Sequence, residues 1–373
     1  MFKKLSKFLP ILIFLLVFSI GCEKGSDSSN DWVWEEHPEL GTGSVVFSYV
    51  PITYEAFYEF WPMGHINLPE HPIPTMGGGF QFTPQTKKSP VDVRSPADGV
   101  ITWIRKLVVE QNGVTYEDYA LRIYHTNTFV SFLDHLSSID ESVMKKLRSL
   151  NIGENKVYVR VNAGDVIAKT GVNIEGLGWY LYNREANLDY INKAKYGPYN
   201  PYSVFPLDYF PDAEKTNLYS YIKRTKNPRS GKCDFDIKGT LSGNWIVKGG
   251  DPIAKPQPWS VWLSFCYDMF DPDYRRVSIG QDLGKMIGKP DGVLTSPKSG
   301  PEYTSVTKNS GKVVYKLFDV SEGEEFNIGH PYDDTIKYTL LVEMQSDDEI
   351  KVELFNGDIA SPEFTSNAMF YTR

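Results

Sequence analysis

Two histidines and a run of glycines stand close together in "GHINLPEHPIPTMGGGF" (Gly64–Phe80). Imidazole is a common zinc ligand, and two histidines with one carboxylate make a workable zinc site. His65 and His71 are therefore candidate metal ligands. Their spacing is not that of a regular helical or strand pair, and Pro69 and Pro72 constrain the loop. We favour the alternative, in which both histidines make hydrogen bonds within a loop.

A third histidine, His135, follows Asp134 in "DHLSSI". A histidine placed this way either transfers protons as a general acid or base, or is a half-buried structural side chain at a strand end. His125 and Asp140 lie near it in sequence, but no Ser or Cys stands in a nucleophile motif, so no catalytic triad is predicted. We favour the structural role for His135.

Strands must position these side chains in the first half of the chain. Alternation of apolar and polar residues between turn signals predicts strands at Ser44–Val50, Gly99–Val109, Tyr119–His125, Phe129–Leu133 and Lys156–Val161. One short helix is predicted between them. Ser138 is its expected N-cap with Glu141 at the capping-box distance. The apolar face of this helix would be formed by Val143, Leu147 and Leu150.

The residue pattern of the second half of the chain predicts a separate β domain. The basic stretch "KRTKNPRSGK" (223–232) is interpreted as a linker between residues 44–222 and residues 233–373. In "WSVWLSFCYD" every second residue is apolar, and "IKYTLLVEM" and "IKVELF" flank the polar turn "QSDDE" as a hairpin. We therefore expect an antiparallel sandwich or barrel after the linker.

The chain begins like an exported protein. Three lysines precede an apolar run that ends at Gly21-Cys22, which is too short for a comfortable membrane span. The arrangement resembles a bacterial lipoprotein signal, in which residues 1–21 are removed and Cys22 receives lipid. This resemblance implies a lipid-anchored protein of the cell envelope, on the outer membrane or the cell surface. A plain signal peptide is the alternative. Residues 22–43 begin with the polar "EKGSDSSND" and are interpreted as a flexible tether.

Charge and cysteine content restrict the partners and the redox state. Removal of residues 1–21 leaves 36 basic and 47 acidic side chains, a net charge of −11. An acidic chain without a long basic stripe argues against nucleic-acid binding. With Cys22 lipidated, Cys233 and Cys266 remain as an even pair in an exported chain, which predicts a disulfide. Two free buried thiols are the alternative.

Three stretches in order, "SPADGVI" (Ser95–Ile101), "DHLSSI" (Asp134–Ile139) and "VNAGDVIAKTG" (Val161–Gly171), resemble the lysostaphin-type zinc endopeptidases. The resemblance covers roughly residues 60–195. It implies a small antiparallel β-sheet fold, the duplicated hybrid motif. It also implies a zinc ion with three protein ligands and an activated water. His135 would be the family's acid or base.

The ligand positions that the resemblance implies do not hold zinc ligands. The H-x-x-x-D positions fall on Met76 and Phe80, and "NLDY" places Asn187 and Asp189 where the family has H-x-H. A thioether, a phenyl ring and one carboxylate do not hold zinc tightly. The sequence therefore predicts no cofactor.

We predict a lipid-anchored binding module with an inactive peptidase-like domain. Its partners would be the membrane and a peptidoglycan, glycan or peptide ligand. Four aromatic side chains are expected either to line the binding groove or to be buried in the hydrophobic core. They are Trp179, Tyr180, Tyr182 and Tyr190. One alternative is an active zinc endopeptidase that uses His65, His71 and Asp189 with His135. The other is a structural envelope protein without a ligand.

Overall fold

The computed structural model describes residues 34–111, 113–252, 260–320 and 335–373. The predicted signal segment 1–21 and Cys22 lie outside the described residues. The prediction of a mainly β protein built from antiparallel sheets is confirmed. No helix among the described residues combines the length and the apolar character needed to cross a membrane.

The large sheet of the first half of the chain carries His125 and His135. Its strands, in spatial order across the sheet, are β1 (Phe57–Trp61), β2 (Gly78–Phe82), β10 (Gly176–Asn183), β6 (Phe129–Leu136), β5 (Val114–Thr126), β4 (Gly99–Gln111) and β8 (Gly153–Val161). The short β11 (Ser203–Val204) pairs with β10. One face of the sheet lies on a large hydrophobic cluster, which we call the first core, because alternate side chains of the strands are apolar and buried.

A smaller sheet packs beside the large one. It contains β3 (Val91–Arg94), β9 (Val166–Thr170) and β7 (Ser138–Ile139). The helix α1 (Glu141–Met144) follows β7, and α2 (Asp212–Tyr219) lies near the end of this half of the chain. The helix α1 is one turn long and its N-cap is Asp140, whose side chain accepts a hydrogen bond from Ser142. The predicted cap, Ser138, lies in β7 instead.

The second half of the chain forms a closed barrel. Within the described residues its strands follow one another around the barrel: β12 (Gly243–Val247), β13 (Trp262–Tyr267), β14 (Arg275–Ile279), β15 (Val293–Ser299), β16 (Lys312–Asp319), β17 (Tyr338–Met344), β18 (Glu349–Asn356) and β19 (Met369–Thr372). The predicted hairpin is β17–β18. Closure removes the sheet edges. The helix α3 (Gln281–Gly284) follows β14.

The predicted strand Ser44–Val50 is not a strand in the structure. Its Phe47 is fully buried among the aromatic rings of the first core, and its backbone N–H donates to the carbonyl of Tyr209. The segment forms backbone hydrogen bonds to loops rather than to a strand. Its alternation of apolar and polar residues therefore reflects the burial of single side chains.

The two halves of the chain share a packed boundary. Trp262, on the outside of the barrel, belongs to the first core and its ring lies 5.4 Å from that of Tyr196. The buried carboxylate of Asp236 accepts hydrogen bonds from the N–H groups of Ile191 and Asn244. Residues 223–232, interpreted as a linker, are also packed, because the guanidinium of Arg224 is buried against backbone carbonyls.

The predicted disulfide is not formed. Cys233 and Cys266 are both free and buried. Cys233 is part of the first core, where its carbonyl accepts from the hydroxyl of Tyr190. Cys266 lies within β13, with its Sγ 3.9 Å from the carbonyl oxygen of Arg276 on β14. Each thiol therefore has its own buried surroundings, and the alternative of two free thiols holds.

Candidate functional site

His135 lies at the end of β6 in an irregular part of the sheet. The register between β5 and β6 shifts between Tyr119 and Leu121, and His135 has a φ of 65°. Successive residues of a regular strand point to opposite faces, but a bulge can turn two neighbours to the same side. Here it lets Asp134 and His135 reach one group of charged side chains. The hydroxyl of Thr170 donates to the His135 carbonyl and helps to hold this backbone.

Two carboxylates and two basic groups meet at this point, and we call Arg105, Asp118, Asp134 and His135 the charged cluster. The guanidinium of Arg105 lies 2.7 Å from Asp134 Oδ1 and 3.9 Å from Asp118 Oδ2. His135 Nδ1 lies 3.6 Å from Asp118 Oδ1. Asp118 is almost fully buried, whereas the imidazole of His135 is 54% exposed. With both bases protonated, the four side chains have no net charge.

The carboxylates keep His135 protonated. Partial desolvation alone would lower its pKa, but Asp134 and Asp118 outweigh this and raise the pKa of His135 to about 9. Burial would likewise raise the pKa of Asp134, yet Arg105 and His135 hold that pKa below its ordinary value. A histidine that is protonated at neutral pH does not serve as a general base. It can donate a hydrogen bond to a ligand through its exposed edge.

A row of flat side chains crosses the sheet next to the charged cluster. Strand register pairs Trp103 with Arg122, Arg122 with Phe132 and Phe132 with Tyr180, so these four point to the same face. We call them the aromatic row. The rings of Phe132 and Trp103, and those of Phe132 and Tyr180, have centroids 5.8 Å apart. The Arg122 guanidinium lies over Trp103.

The face that carries the aromatic row is opposite to the first core and is only partly covered. Trp179 and Leu181 of β10 point into the core, whereas Tyr180 and Tyr182 point the other way. Tyr182 is buried beneath Tyr199, whose ring lies 5.3 Å away. Tyr180 and Phe132 stay half-exposed. The half-exposed part of the row therefore adjoins the charged cluster.

Residues 64–80, which we call the opening loop, hold His65 and His71 and lie beside the charged cluster. The backbone of the loop bonds to itself, since the N–H of Asn67 donates to the His71 carbonyl and that of Thr75 to the His65 carbonyl. The rings of His65 and His71 are 6.3 Å apart. Burial and the charge of His135 lower the pKa of His71 to about 4, and burial lowers the pKa of His65 to about 3. Both imidazoles are therefore neutral at pH 7.

The glycine run of that loop has a packing reason. A Cβ atom on Gly77 would lie 2.4 Å from the ring of Tyr180, and one on Gly78 would lie 2.5 Å from the ring of Phe60. Only glycine allows both aromatic rings to rest on the backbone at these positions.

The residues at the implied ligand positions do not fit zinc. Met76 and Phe80 are buried in the first core, where the ring of Phe80 packs edge-on against that of Phe60. Asn187 accepts a hydrogen bond from Lys193, and the N–H of Asp189 donates to Asp234. Among the described residues, His65, His71 and Asp189 do not bring their ligand atoms together.

Of the four aromatic residues proposed from sequence to line a groove, the structure leaves only Tyr180 half-exposed on the face beside the charged cluster. Trp179 is fully buried in the first core and donates to Ser131. Tyr190 is buried against Tyr196, with ring centroids 3.7 Å apart. Neither of these two can line an open surface. Asn187 and Asp189 follow β10 rather than lying in it.

Sequence reasoning missed Arg105 and Asp118. Arg105 lies within a predicted strand, and Asp118 directly precedes another. Their meeting depends on the β4–β5 register, in which Leu107 faces Asp118 and Arg105 faces Ala120. A hairpin alignment of the two strands would have placed these charges near each other.

Comparisons with known proteins give weak likenesses. No protein family and no curated protein matches the chain. Among solved structures, Helicobacter pylori Csd3 in its hexagonal crystal form is similar with a TM-score of 0.26 and 15% identity over 48% of this chain. Its orthorhombic form gives a TM-score of 0.23, 15% identity and 47% of this chain. The chain covers only 39% of the Csd3 chain in each.

The NMR solution structure of lysostaphin is similar with a TM-score of 0.24 and 12% identity, over 67% of this chain and 89% of that one.

Proposed function

We propose that this chain is a non-catalytic binding module of the bacterial cell envelope, anchored by lipid on Cys22. Its ligand, a glycan or peptide of the envelope such as peptidoglycan, would lie on the exposed end of the aromatic row beside His135. The peptidase-like character of the domain is supported by the three sequence stretches that resemble lysostaphin-type enzymes.

One observation carries the non-catalytic part of the proposal. The side chains at the implied zinc positions, Met76 and Phe80, are apolar and buried in the core. In addition, His135 is held as an imidazolium by two carboxylates. Neither a metal-activated water nor a neutral base is supplied by these residues.

Stacking supports the binding part. Flat rings bind sugar faces and peptide side chains through apolar contact. Charged donors next to a half-exposed ring can fix the orientation of the bound ligand. Tyr180 and Phe132 supply the rings. The exposed edge of His135 supplies a donor, and burial together with Asp134 raises the pKa of the Tyr180 phenol so that it stays protonated.

The binding test is co-sedimentation of the purified protein with purified cell walls. Tyr180→Ala should reduce the bound fraction several-fold. Tyr49→Ala is the matched control, because Tyr49 is an exposed tyrosine in the loop that pairs with Pro96 rather than on the aromatic row. Equal loss in both variants, or no binding by the wild type, would reject the proposed surface.

The catalytic rival is tested by elemental analysis of protein purified without chelators, followed by a turbidity assay on cell walls with zinc added. We expect no stoichiometric zinc and no clearing. One equivalent of zinc together with clearing that His135→Gln abolishes would establish the zinc endopeptidase instead.

The lipid anchor is tested separately. Replacement of Cys22 by Ala should move the protein from the membrane fraction to the soluble fraction. Unchanged fractionation would show that Cys22 is not the anchor.

A further inference from the structure

The charged cluster contains a set of metal-ligand atoms away from the positions that the family resemblance implies. One ligand atom each from Asp118, Asp134 and His135 lies within 4.8 Å of the others. Two carboxylate oxygens and one imidazole nitrogen are a chemically suitable set for Zn²⁺, Co²⁺ or Mn²⁺. Met76 and Phe80 take no part in this set.

The buried carboxylate of Asp118 is the second observation that indicates an ion. Asp118 is 6% exposed, and its Oδ1 makes no hydrogen bond to any described residue. Buried carboxylate oxygens are normally satisfied, because an unpaired one has lost its hydration without compensation. Nδ1 of His135, a member of the same set, forms an ion pair with this oxygen at 3.6 Å, which is longer than a hydrogen bond.

A cation is already present at the set, and it is Arg105. Its guanidinium donates to Asp134 Oδ1 at 2.7 Å and lies 3.9 Å from Asp118 Oδ2, so it bridges the two carboxylates. The side chain is mostly buried, 27% exposed, and its Nε also has no hydrogen-bond partner among the described residues. A divalent ion bound between the same oxygens would be repelled by this charge at close range.

We propose that Asp118, Asp134 and His135 form a latent divalent-cation site and that Arg105 keeps it closed by occupying the place of the ion. The wild-type chain should therefore bind no divalent ion tightly at these three side chains. Removal of the guanidinium, with the two carboxylates and the histidine retained, opens the site to Zn²⁺ or Co²⁺.

The experiment is a titration of the full chain with Zn²⁺ by calorimetry and with Co²⁺ by visible absorption. Arg105→Met keeps the length of the side chain and removes its charge. We expect this variant to bind one ion about 100-fold more tightly than the wild type, because a unit positive charge has left the site. The Co²⁺ absorption bands should report a nitrogen and oxygen ligand set.

Two controls locate the ion. Lys106→Met removes a neighbouring cation of the same strand that pairs with Glu117 and not with the set, so it should bind no more metal than the wild type. The double variant Arg105→Met with Asp118→Asn should lose the gain. If Arg105→Met does not fold, Arg105→Gln replaces it in the titration, because its neutral amide can still donate to Asp134.

Three results would overturn the proposal. They are no gain in either folded Arg105 variant, a gain that survives Asp118→Asn, and wild-type binding of one tight ion that Asp118→Asn abolishes. The last result decides the matter even if neither Arg105 variant folds. These measurements use metal alone, so their failure leaves the cell-wall binding proposal untouched.

Discussion

At the scale of single residues, His135 stands out by its backbone, which has a φ of 65° although the residue is not glycine. A non-glycine residue in the left-handed region costs on the order of 1 kcal/mol or more, and such strain persists only where surrounding contacts enforce it. Here the contacts are the Asp118 and Asp134 carboxylates and the hydroxyl of Thr170. The conformation sends the imidazole to the carboxylates and leaves one edge exposed.

Asp118→Asn should lower the pKa of His135 from about 9 toward its ordinary value near 6.5, because a carboxylate that favours the imidazolium is lost. The measurement is an NMR titration of the histidine ring signals. Glu117→Gln is the matched control, since that neighbouring carboxylate pairs with Lys106 and should leave the His135 titration unchanged. An unchanged pKa in Asp118→Asn would contradict the assignment.

His135 should also make stability depend on pH. Because its folded pKa is raised, the protonated form stabilises the folded chain fully below about pH 6.5, and that contribution is lost as the pH rises through about 9. The free energy of unfolding of the wild type should therefore exceed that of His135→Gln by more at pH 6 than at pH 10. Urea unfolding of both proteins at the two pH values measures this. A difference that is constant or larger at pH 10 would show the opposite linkage.

The two cysteines should behave as inert thiols. Both are buried, and burial raises the pKa of Cys233 and of Cys266 to about 12, so almost no thiolate exists near neutral pH. In the Cys22→Ala protein, Ellman's reagent should detect no fast-reacting thiol in the native state. It should detect both after unfolding without reductant. Absence of thiols in the unfolded, unreduced protein would restore the disulfide.

At the scale of elements, the end of the predicted tether is part of the fold. Residues 34–43, which we call the strap, lie over the face of the large sheet that carries the aromatic row. Trp34 is buried and stacks on Tyr199 with ring centroids 4.8 Å apart. The strap also supplies Glu35, whose carboxylate lies 3.1 Å from the buried guanidinium of Arg122. An aromatic anchor and an ion pair therefore fix a segment whose composition alone suggested flexibility.

Glu35→Gln should destabilise the protein by about 2 kcal/mol, because it leaves the guanidinium of Arg122 buried without its carboxylate. The matched control is Glu36→Gln, which breaks the exposed pair with Arg184 and should destabilise the protein less than Glu35→Gln does. Urea unfolding of the three proteins gives both values. Equal effects at the two positions would mean that the strap is not held through Arg122.

At the scale of the whole molecule, the two halves of the chain are joined by packing and not only by sequence. Arg224 is 3% exposed and donates to carbonyls on both sides of the boundary: those of Lys226 and Pro228 in its own segment, and those of Asp268 and Met269 after β13. One buried guanidinium thus satisfies several carbonyls at once. The segment 223–232 positions the barrel against the first core.

Arg224→Ala should lower the free energy of unfolding by about 3 kcal/mol, since it leaves buried carbonyls without a donor. Lys226→Ala is the control in the same segment. It removes exposed ion pairs with Asp271 and Asp273 and should destabilise the protein much less than Arg224→Ala does. Chemical unfolding followed by tryptophan fluorescence reports both. A flexible linker would predict small and equal effects.

The sequence alone determined the kinds of elements and much of their order. Alternation predicted β4, β5, β6 and β8, as well as the β17–β18 hairpin, because a strand with one buried face records its periodicity directly in the chain. It also showed that Met76 and Phe80 cannot ligate zinc, since that conclusion needs only the chemistry of their side chains.

Tertiary structure decided which distant residues meet. The encounter of Arg105, Asp118 and His135 depends on strand register and on a bulge, and neither is encoded in local pattern. Tertiary structure also decided the state of the two thiols, because their even number suggested a pair but the fold places them apart. It likewise decided the conformation of the strap and of the segment 223–232. Their polar composition predicted mobility, whereas Trp34 and Arg224 are buried and donate to the carbonyls of Asn127 and Asp268, far away in the chain. Such contacts are formed between elements, so a local reading of composition does not contain them.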